Sequence, residues 1–532
     1  MLPRNLRLIT LLILLGIFSF HFINNVILIY HNNNPLESRR VSINWFSSSV
    51  VRYYSFIESK NFNSFYKTYA QLPFLPLLLY GAALAYPFLG ISTASAEIMN
   101  MLYFFILLCS TYGIGRTMYN RKVGLFAAFL VSCIPGISDF SRKFFPDFPL
   151  VAMVALSLYL FLKTDNFRSL KYSVLFGISV GLGLLTKLSY PLFLGAPLIC
   201  FFVFEYFTDG MRLSRKKALF HLALALGIGL LLAASFYAPN LHATIAMAKD
   251  LSFNIQYIQD KTLLQLFRDR IVLKPLFAIS AIAFFTYLRR KELFLPLAVI
   301  VPIFLFSLSA NYGGRYLLPI LPVISIILSA EAFSFPQGKI IIVPLLTSFV
   351  IMQYFLYSYI PDKGPAFMKK DIIVPKLQPA ETKNIFYGCN KLIDILMTNK
   401  SESNGDAQIL FTFGGDKASY LARELCYHIV VKRFKFRVWS YYGIDLFMLK
   451  KNFKTFSAGF DDVVRKADFV IWKNGGEVGI GYDVWHGYNN LDIFRELQKA
   501  FERHKDNFEV CGRFSWPDKS EILVYKKKMK PQ

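Results

Sequence analysis

Leu72-Pro73-Phe74-Leu75-Pro76-Leu77-Leu78-Leu79-Tyr80-Gly81-Ala82-Ala83-Leu84-Ala85-Tyr86-Pro87-Phe88-Leu89-Gly90 decides how this chain is threaded. The run is as apolar as a membrane span, yet Pro73, Pro76 and Pro87 punctuate it. Each proline removes a backbone donor and crowds the preceding turn. If the run crosses a bilayer, every later loop changes side.

Its surroundings are those of a membrane protein. Of 532 residues, 55% are hydrophobic and 17% charged, with a mean hydropathy of +0.41. Apolar runs long enough for a hydrocarbon core lie near residues 7–30, 98–115, 123–138, 148–163, 171–187, 190–207, 217–238, 271–288, 293–309, 316–334 and 339–360. The first follows Arg4 and Arg7, is too long for a cleaved signal and lacks a small-x-small cleavage site, so it reads as a retained span.

Loop charge settles the 72–90 run. With it lying along the interface, one side collects Arg4 and Arg7, then Arg116, Arg121 and Lys122, then Lys163, Arg168 and Lys171. The same side takes Arg212, Arg215, Lys216 and Lys217, and Arg289, Arg290 and Lys291. Cytoplasmic loops carry this bias; a spanning 72–90 would scatter these cations over both faces. The expectation is an α-helical polytopic membrane protein of about eleven spans, in the cell membrane, with its amino terminus cytoplasmic and its C-terminal region outside. The net charge of +25 then reflects orientation and anionic lipid. No basic stripe interleaved with aromatics appears, so nucleic acid is excluded as a partner.

Four pieces fall on the outer face: a first loop at 31–97, the short loop holding Arg142 and Asp147, a loop at 239–270, and the hairpin Ser309-Ala310-Asn311-Tyr312-Gly313-Gly314-Arg315-Tyr316. The chain divides into a membrane domain, 1–360, and a domain at 361–532. There β-rich runs (Gln408–Phe413, His428–Phe434, Asp468–Lys473, Phe508–Phe514, Glu521–Lys526) alternate with helical patterns (Lys417–Cys426, Leu491–His504), which predicts a small extracytoplasmic α/β domain.

Ser141-Arg142-Lys143-Phe144-Phe145-Pro146-Asp147-Phe148-Pro149-Leu150 puts a carboxylate at the mouth of a span. Such a group needs a partner, water or a chemical task, although Asp147 would also suit the start of the next helix. The topology sets Arg142, Asp147, Lys187 and Arg315 on one face. Cations at a membrane edge commonly snorkel to head groups. As a set with a carboxylate they fit a site for an anionic lipid head group, arginine as a fork and lysine as a point charge. The carboxylate would serve as general base or as ligand for a cation.

Ser141-Arg-x-x-x-x-Asp147-x-Pro-Leu, Gly181-Leu-Gly-Leu-Leu-Thr-Lys187 and Arg315-Tyr-Leu-Leu-Pro-Ile-Leu-Pro322, in that order, resemble the GT-C membrane glycosyltransferases. They are most similar to the bacterial branch related to protein O-mannosyltransferases and the lipid A aminoarabinose transferase. Gln71-Leu-Pro-Phe-Leu-Pro76 with Phe88-Leu-Gly-Ile-Ser92 is similar to that family's juxtamembrane stretch, and Tyr237-Ala-Pro-Asn240 to its Pro-Trp element. The resemblance covers roughly residues 1–335 and implies inverting transfer of a sugar from a polyprenyl-phosphate donor to a lipid, glycan or protein acceptor outside. It also implies an acidic catalytic base in the first outer loop, a divalent metal in some members, Asp147 beside the reacting centre, and donor phosphate held by Lys187 and Arg315.

Two features depart from that pattern. The family opens its first outer loop with Asp-Glu; here the loop offers only Glu37 and Glu58 before Leu72. Glu37, in Asn34-Pro35-Leu36-Glu37-Ser38-Arg39-Arg40, stands at about the family's distance from the first span and takes the catalytic role, the alternative being a solvent pair with Arg39 or Arg40. Counting back from Lys60-Asn61-Phe62 instead reaches Asn44 to Ser48, which holds no acid. A Lys-Pro element is replaced by Leu72-Pro73. Two other functions stand beside the transferase: a silent subunit that binds the donor lipid, and a lipid or sugar transporter. A transporter would need polar residues deep in several spans and inverted repeats; the span centres here are apolar and no repeat is visible.

Elsewhere the ordinary readings hold. Phe411-Thr412-Phe413-Gly414-Gly415-Asp416-Lys417 lacks a dinucleotide fingerprint and reads as a strand-to-helix turn capped by Asp416. Asp461, Asp462, His428, His486 and His504 show no metal-ligand spacing. Among Cys389, Cys426 and Cys511, export of the domain would allow one disulfide, its pairing open.

Overall fold

The structure, a computed structural model, describes residues 4–31, 76–207, 215–241, 294–307, 314–334, 338–359, 379–400, 407–412, 436–439, 456–474, 490–515 and 520–528. Glu37, Glu58, Asp416, Cys426 and the expected span at 271–288 lie outside the described residues. The chain forms two compact units, one containing Arg52–Val374 and the other Pro375–Gln532.

In the first unit the apolar runs become helices. They are α1 (Arg4–His31), α2 (Pro76–Leu89), α3 (Thr93–Ile98), α4 (Asn100–Met118), α5 (Arg121–Cys133), α6 (Pro135–Phe140) and α7 (Asp147–Lys163). There follow α8 (Leu170–Leu184), α9 (Tyr190–Phe207), α10 (Arg215–Tyr237), α11 (Phe294–Ser307), a 3₁₀ segment (Gly314–Ile320) leading into α12 (Leu321–Ser334), and α13 (Val343–Tyr359). Asn5–Ile29, Thr93–Met118, Lys216–Tyr237, Arg315–Ser334 and Gly338–Tyr359 are long and apolar enough to cross a membrane. The expected span at 123–138 is instead two helices: Pro135 has no N–H to continue the ladder, so α5 stops at Cys133 and α6 starts afresh.

Of the 72–90 run, Pro76–Leu89 forms α2, whose 14 residues reach about 21 Å at 1.5 Å per residue. That is short of a hydrocarbon core of about 30 Å. Pro76 sits in its first turn, where a missing N–H is harmless, and Leu78, Leu79, Ala82 and Tyr86 are buried. The Leu77 amide donates to the Leu185 carbonyl at 3.2 Å. This fixes the start of α2 against the end of α8, two residues from Lys187.

α7 is the axis of the unit. Thirteen of its side chains are buried, and α4, α8, α9 and the 3₁₀ segment pack around it. Where helices come closest, glycine makes room. A Cβ on Gly177 of α8 would stand 2.4 Å from the Ala225 carbonyl of α10. Small residues allow such backbone approach between membrane helices.

A buried hydroxyl chain ties three helices together. Tyr190 Oη donates to Ser157 Oγ at 2.6 Å, Ser157 to Ser179 Oγ at 3.0 Å, and Ser179 to the Phe176 carbonyl at 2.8 Å. Gly183 leaves room for the Tyr190 ring, since a Cβ there would fall 2.2 Å from it. Tyr190→Phe should lower unfolding stability in detergent by about 1 kcal/mol, the net worth of one buried hydrogen bond. An unchanged thermal midpoint would mean the chain adds nothing.

In the second unit, α14 (Pro379–Asn399), α15 (Phe456–Lys466) and α16 (Asn490–His504) accompany a mixed sheet. Its strands are β1 (Ala407–Phe411), β2 (Phe436–Trp439), β3 (Phe469–Asn474), β4 (Phe508–Ser515) and β5 (Glu521–Lys527), in the order β2-β1-β3-β5-β4. β1 is parallel to β2 and β3, while β5 runs antiparallel to β3 and β4. Val464 and Phe501 of α15 and α16 share one core with Leu410, Val470 and Tyr525. The runs at 407–411, 469–474, 508–515 and 521–527 fall where alternation placed strands; the expected strand His428–Phe434 and helix Lys417–Cys426 lie outside the described residues, and β2 begins after the expected strand.

Cys511, at the irregularity between Val510 and Gly512, is a free thiol that donates to the Val524 carbonyl at 3.4 Å. It is therefore not in the disulfide that export would allow. Burial pushes its pKa up, so it holds little nucleophilic thiolate at neutral pH.

Candidate functional site

The site begins at the amino end of α7. Pro146 occupies the cap position and makes no side-chain capping bond, so Asp147 is already the first helical residue. Its carboxylate is 1% exposed, and Oδ1 accepts from Lys187 Nζ at 2.7 Å. Oδ2 is buried and has no hydrogen-bond partner. Asp147 thus does start the helix, as a carboxylate suits, but its side chain reaches to Lys187 in another helix connection rather than capping its own backbone.

Lys187 lies in the short link between α8 and α9, where the Tyr190 amide donates to its carbonyl at 3.0 Å. Its ammonium is 19% exposed and stands 4.5 Å from the centre of the Tyr316 ring. Arg315, at the start of the 3₁₀ segment, stacks on the same ring at 5.0 Å and on Phe145 at 5.1 Å. Its Nη2 also donates to Tyr316 Oη at 3.1 Å, and the Asp147 charge acts on it. Aromatic faces suit cations in partly desolvated places. Two cations converge on one tyrosine, one of them paired with Asp147, whose second oxygen has no partner among the described residues.

Asp147, Lys187 and Arg315 therefore come together from three parts of the chain. Arg142 goes elsewhere. Its Nε donates to Asn25 Oδ1 at 2.9 Å and its Nη2 to Ser358 Oγ at 2.7 Å, and its guanidinium lies 5.8 Å from the Tyr354 ring centre. None of its bonds is to Asp147, Lys187 or Arg315. Lys143 pairs with Asp139 at 2.7 Å. Tyr237, noted in the sequence, donates to the Leu184 carbonyl at 2.8 Å and so braces the end of α8 near Lys187.

Tyr316 and Phe145 were not singled out from the sequence. Each adjoins a quoted motif residue, but nothing in spacing marks an aromatic ring as a cation seat rather than lipid-facing bulk. No cluster of three His, Cys, Asp or Glu side chains suited to a metal occurs among the described residues, and Lys187 already takes one oxygen of Asp147.

Residues 73–237 match the family of dolichyl-phosphate-mannose-protein mannosyltransferases. A comparison with curated protein sequences finds no match. Among solved structures, apo ArnT from Cupriavidus metallidurans is similar at 10% identity, with 94% of this chain and 97% of that one covered and a TM-score of 0.58. ArnT from the same organism bound to undecaprenyl phosphate is similar at 11% identity, with 98% of each chain covered and a TM-score of 0.56. The archaeal oligosaccharyltransferase AglB from Archaeoglobus fulgidus, in complex with an inhibitory peptide and a dolichol-phosphate, shows 11% identity, 96% and 74% coverage and a TM-score of 0.50. With its apolar helices, its matched segment and these likenesses, the chain is a multi-pass membrane protein with the GT-C glycosyltransferase fold.

Proposed function

We propose that the protein moves a sugar from a polyprenyl-phosphate carrier to an acceptor on the outer face of the cell membrane. The observation that carries this reading is the Asp147–Lys187 pair with Arg315 above it: two cations beside a carboxylate with one oxygen free. The mannosyltransferase description of residues 73–237 and the undecaprenyl phosphate bound to a similar fold support the donor class.

Transfer needs little chemistry from the protein, because the leaving group is already a phosphate. Lys187 and Arg315 hold that phosphate and stabilise the charge it gains as the bond from its oxygen to the sugar's anomeric carbon breaks. The acceptor oxygen forms its bond from the opposite face, inverting the centre. Its proton goes to a carboxylate, for which Glu37 is the candidate from the sequence. Asp147 fixes Lys187 and keeps the cation pair from being over-positive before the donor arrives.

Purified protein supplied with polyprenyl-phosphate sugars tests the assignment of Glu37. Glu37→Gln should lower transfer by about 10²-fold or more while leaving donor binding intact, as loss of a general base does. Transfer at the wild-type rate would remove Glu37 from the mechanism. A silent donor-binding subunit is the second reading, favoured by the absence of Asp-Glu from the first loop. The orientation has its own check: a reporter fused at Arg121 should report cytoplasm, and an external signal there would reverse the assignment of the 72–90 run.

A further inference from the structure

Among the described residues Arg142 has no carboxylate partner. It lies between α6 and α7 and is partly exposed. Its protein partners are neutral acceptors near the carboxyl ends of α1 and α13: Asn25 Oδ1 and Ser358 Oγ. Asn25 is in turn held by its amide, which donates to Ser141 Oγ at 2.9 Å. The guanidinium is thus oriented on one edge by fixed dipoles. Nη1 makes no hydrogen bond.

Beside it stands a second unused donor. The Tyr354 hydroxyl is buried and has no hydrogen-bond partner meeting ordinary geometry, and it lies within electrostatic reach of Arg142. The surrounding rings, His21 at 5.0 Å and Phe20 at 5.8 Å from the Tyr354 ring, keep water out on the other side. Two donors, one of them charged, stand side by side, and no carboxylate among the described residues bonds Arg142. A membrane-edge guanidinium in this state is stabilised by an external anion, and the arginine fork matches a phosphate.

We infer that Arg142 and Tyr354, with Asn25 and Ser358 as the frame, form a seat for a phosphate-type oxyanion distinct from the Asp147–Lys187–Arg315 site. Lipid head groups and free phosphate share that chemistry. The seat does not depend on the transferase reading, because it requires only an anionic phosphate group.

Native mass spectrometry of the intact protein in detergent, titrated with phosphatidylglycerol, reads the seat directly. Wild type should retain one lipid that Arg142→Gln binds about tenfold more weakly, the factor expected for losing a charge-assisted hydrogen bond. Lys143→Gln, which removes a neighbouring cation already paired with Asp139, should retain it unchanged. Millimolar inorganic phosphate that displaces the lipid would identify the bare oxyanion as the group recognised; a lipid that stays while Arg142→Gln releases it would identify the head group as a whole. If Arg142→Gln does not fold, Tyr354→Phe carries the test, since it removes only the hydroxyl beside Arg142, and binding should fall about threefold or more. Equal affinity in wild type and the folded Arg142 and Tyr354 variants overturns the proposal, as does loss of the lipid in Lys143→Gln with retention in Arg142→Gln.

Discussion

Asp147→Asn should abolish most sugar transfer, by about 10²–10³-fold, the scale of losing one preorganised electrostatic contact. The amide fills the same volume and still offers Lys187 an oxygen, so the packing around α7 survives. What changes is charge. Lys187 and Arg315 would then face each other across Tyr316 with no carboxylate between them, and Lys187 would lose the 2.7 Å bond to an anion that sets its position. Because Lys187 is partly exposed, solvent absorbs part of the penalty that a fully buried widowed charge would carry. The effect should therefore fall on turnover more than on folding. Steady-state transfer measured beside a thermal melt separates the two. A variant that melts far below wild type would make Asp147 a structural ion-pair partner, and one that turns over normally would remove it from the site.

The second large effect lies in the packing that brings α8 to its neighbour. Gly177→Ala adds one methyl group where a Cβ would meet the Ala225 carbonyl oxygen at 2.4 Å and its Cα at 2.8 Å. Both are backbone atoms and cannot swing aside. Alanine is the better helix former by about 1 kcal/mol, yet overpacking here forces α8 and α10 apart and should lower stability by about 1–3 kcal/mol net. Gly227→Ala on α10 is the control, since a Cβ there meets nothing within 4 Å; it should be neutral or slightly stabilising. Denaturant unfolding of both variants in one detergent compares them, and equal midpoints would contradict the packing account. Since Lys187 follows α8 by three residues, Gly177→Ala should also weaken transfer.

Much of the architecture was legible because the bilayer limits the choices. An apolar run of span length has few alternatives to a helix, so α1, α4, α7 and α10 fall where hydropathy placed them. Prolines mark breaks, and Pro135 was one that apolar continuity across 123–138 concealed. At 72–90 the prolines and the loop charges argued for a segment lying along the interface, and Pro76–Leu89 is a 14-residue helix.

The candidate site was legible by face but not by contact. Loop charge sets Asp147, Lys187, Arg142 and Arg315 at one end of the helices; it cannot tell which way each side chain turns. The rotation of α7 aims Asp147 at Lys187, while Arg142, five residues earlier on the connection from α6, turns toward α1 and α13. Tyr316 escaped notice for a similar reason: a tyrosine at a membrane edge is common, and only the approach of Lys187 and Arg315 to its ring gives it a task. The hydroxyl chain through Tyr190, Ser157 and Ser179 was equally silent, since each serine alone looks like a small residue at a helix contact.

The most direct measurement is release of free polyprenyl phosphate from a polyprenyl-phosphate sugar by the purified wild-type protein in the presence of membrane acceptors. The account predicts release coupled to sugar transfer, lost in Asp147→Asn. Donor that binds but is never cleaved, in wild type and variant alike, would contradict it and leave a protein with the fold of a glycosyltransferase and no turnover.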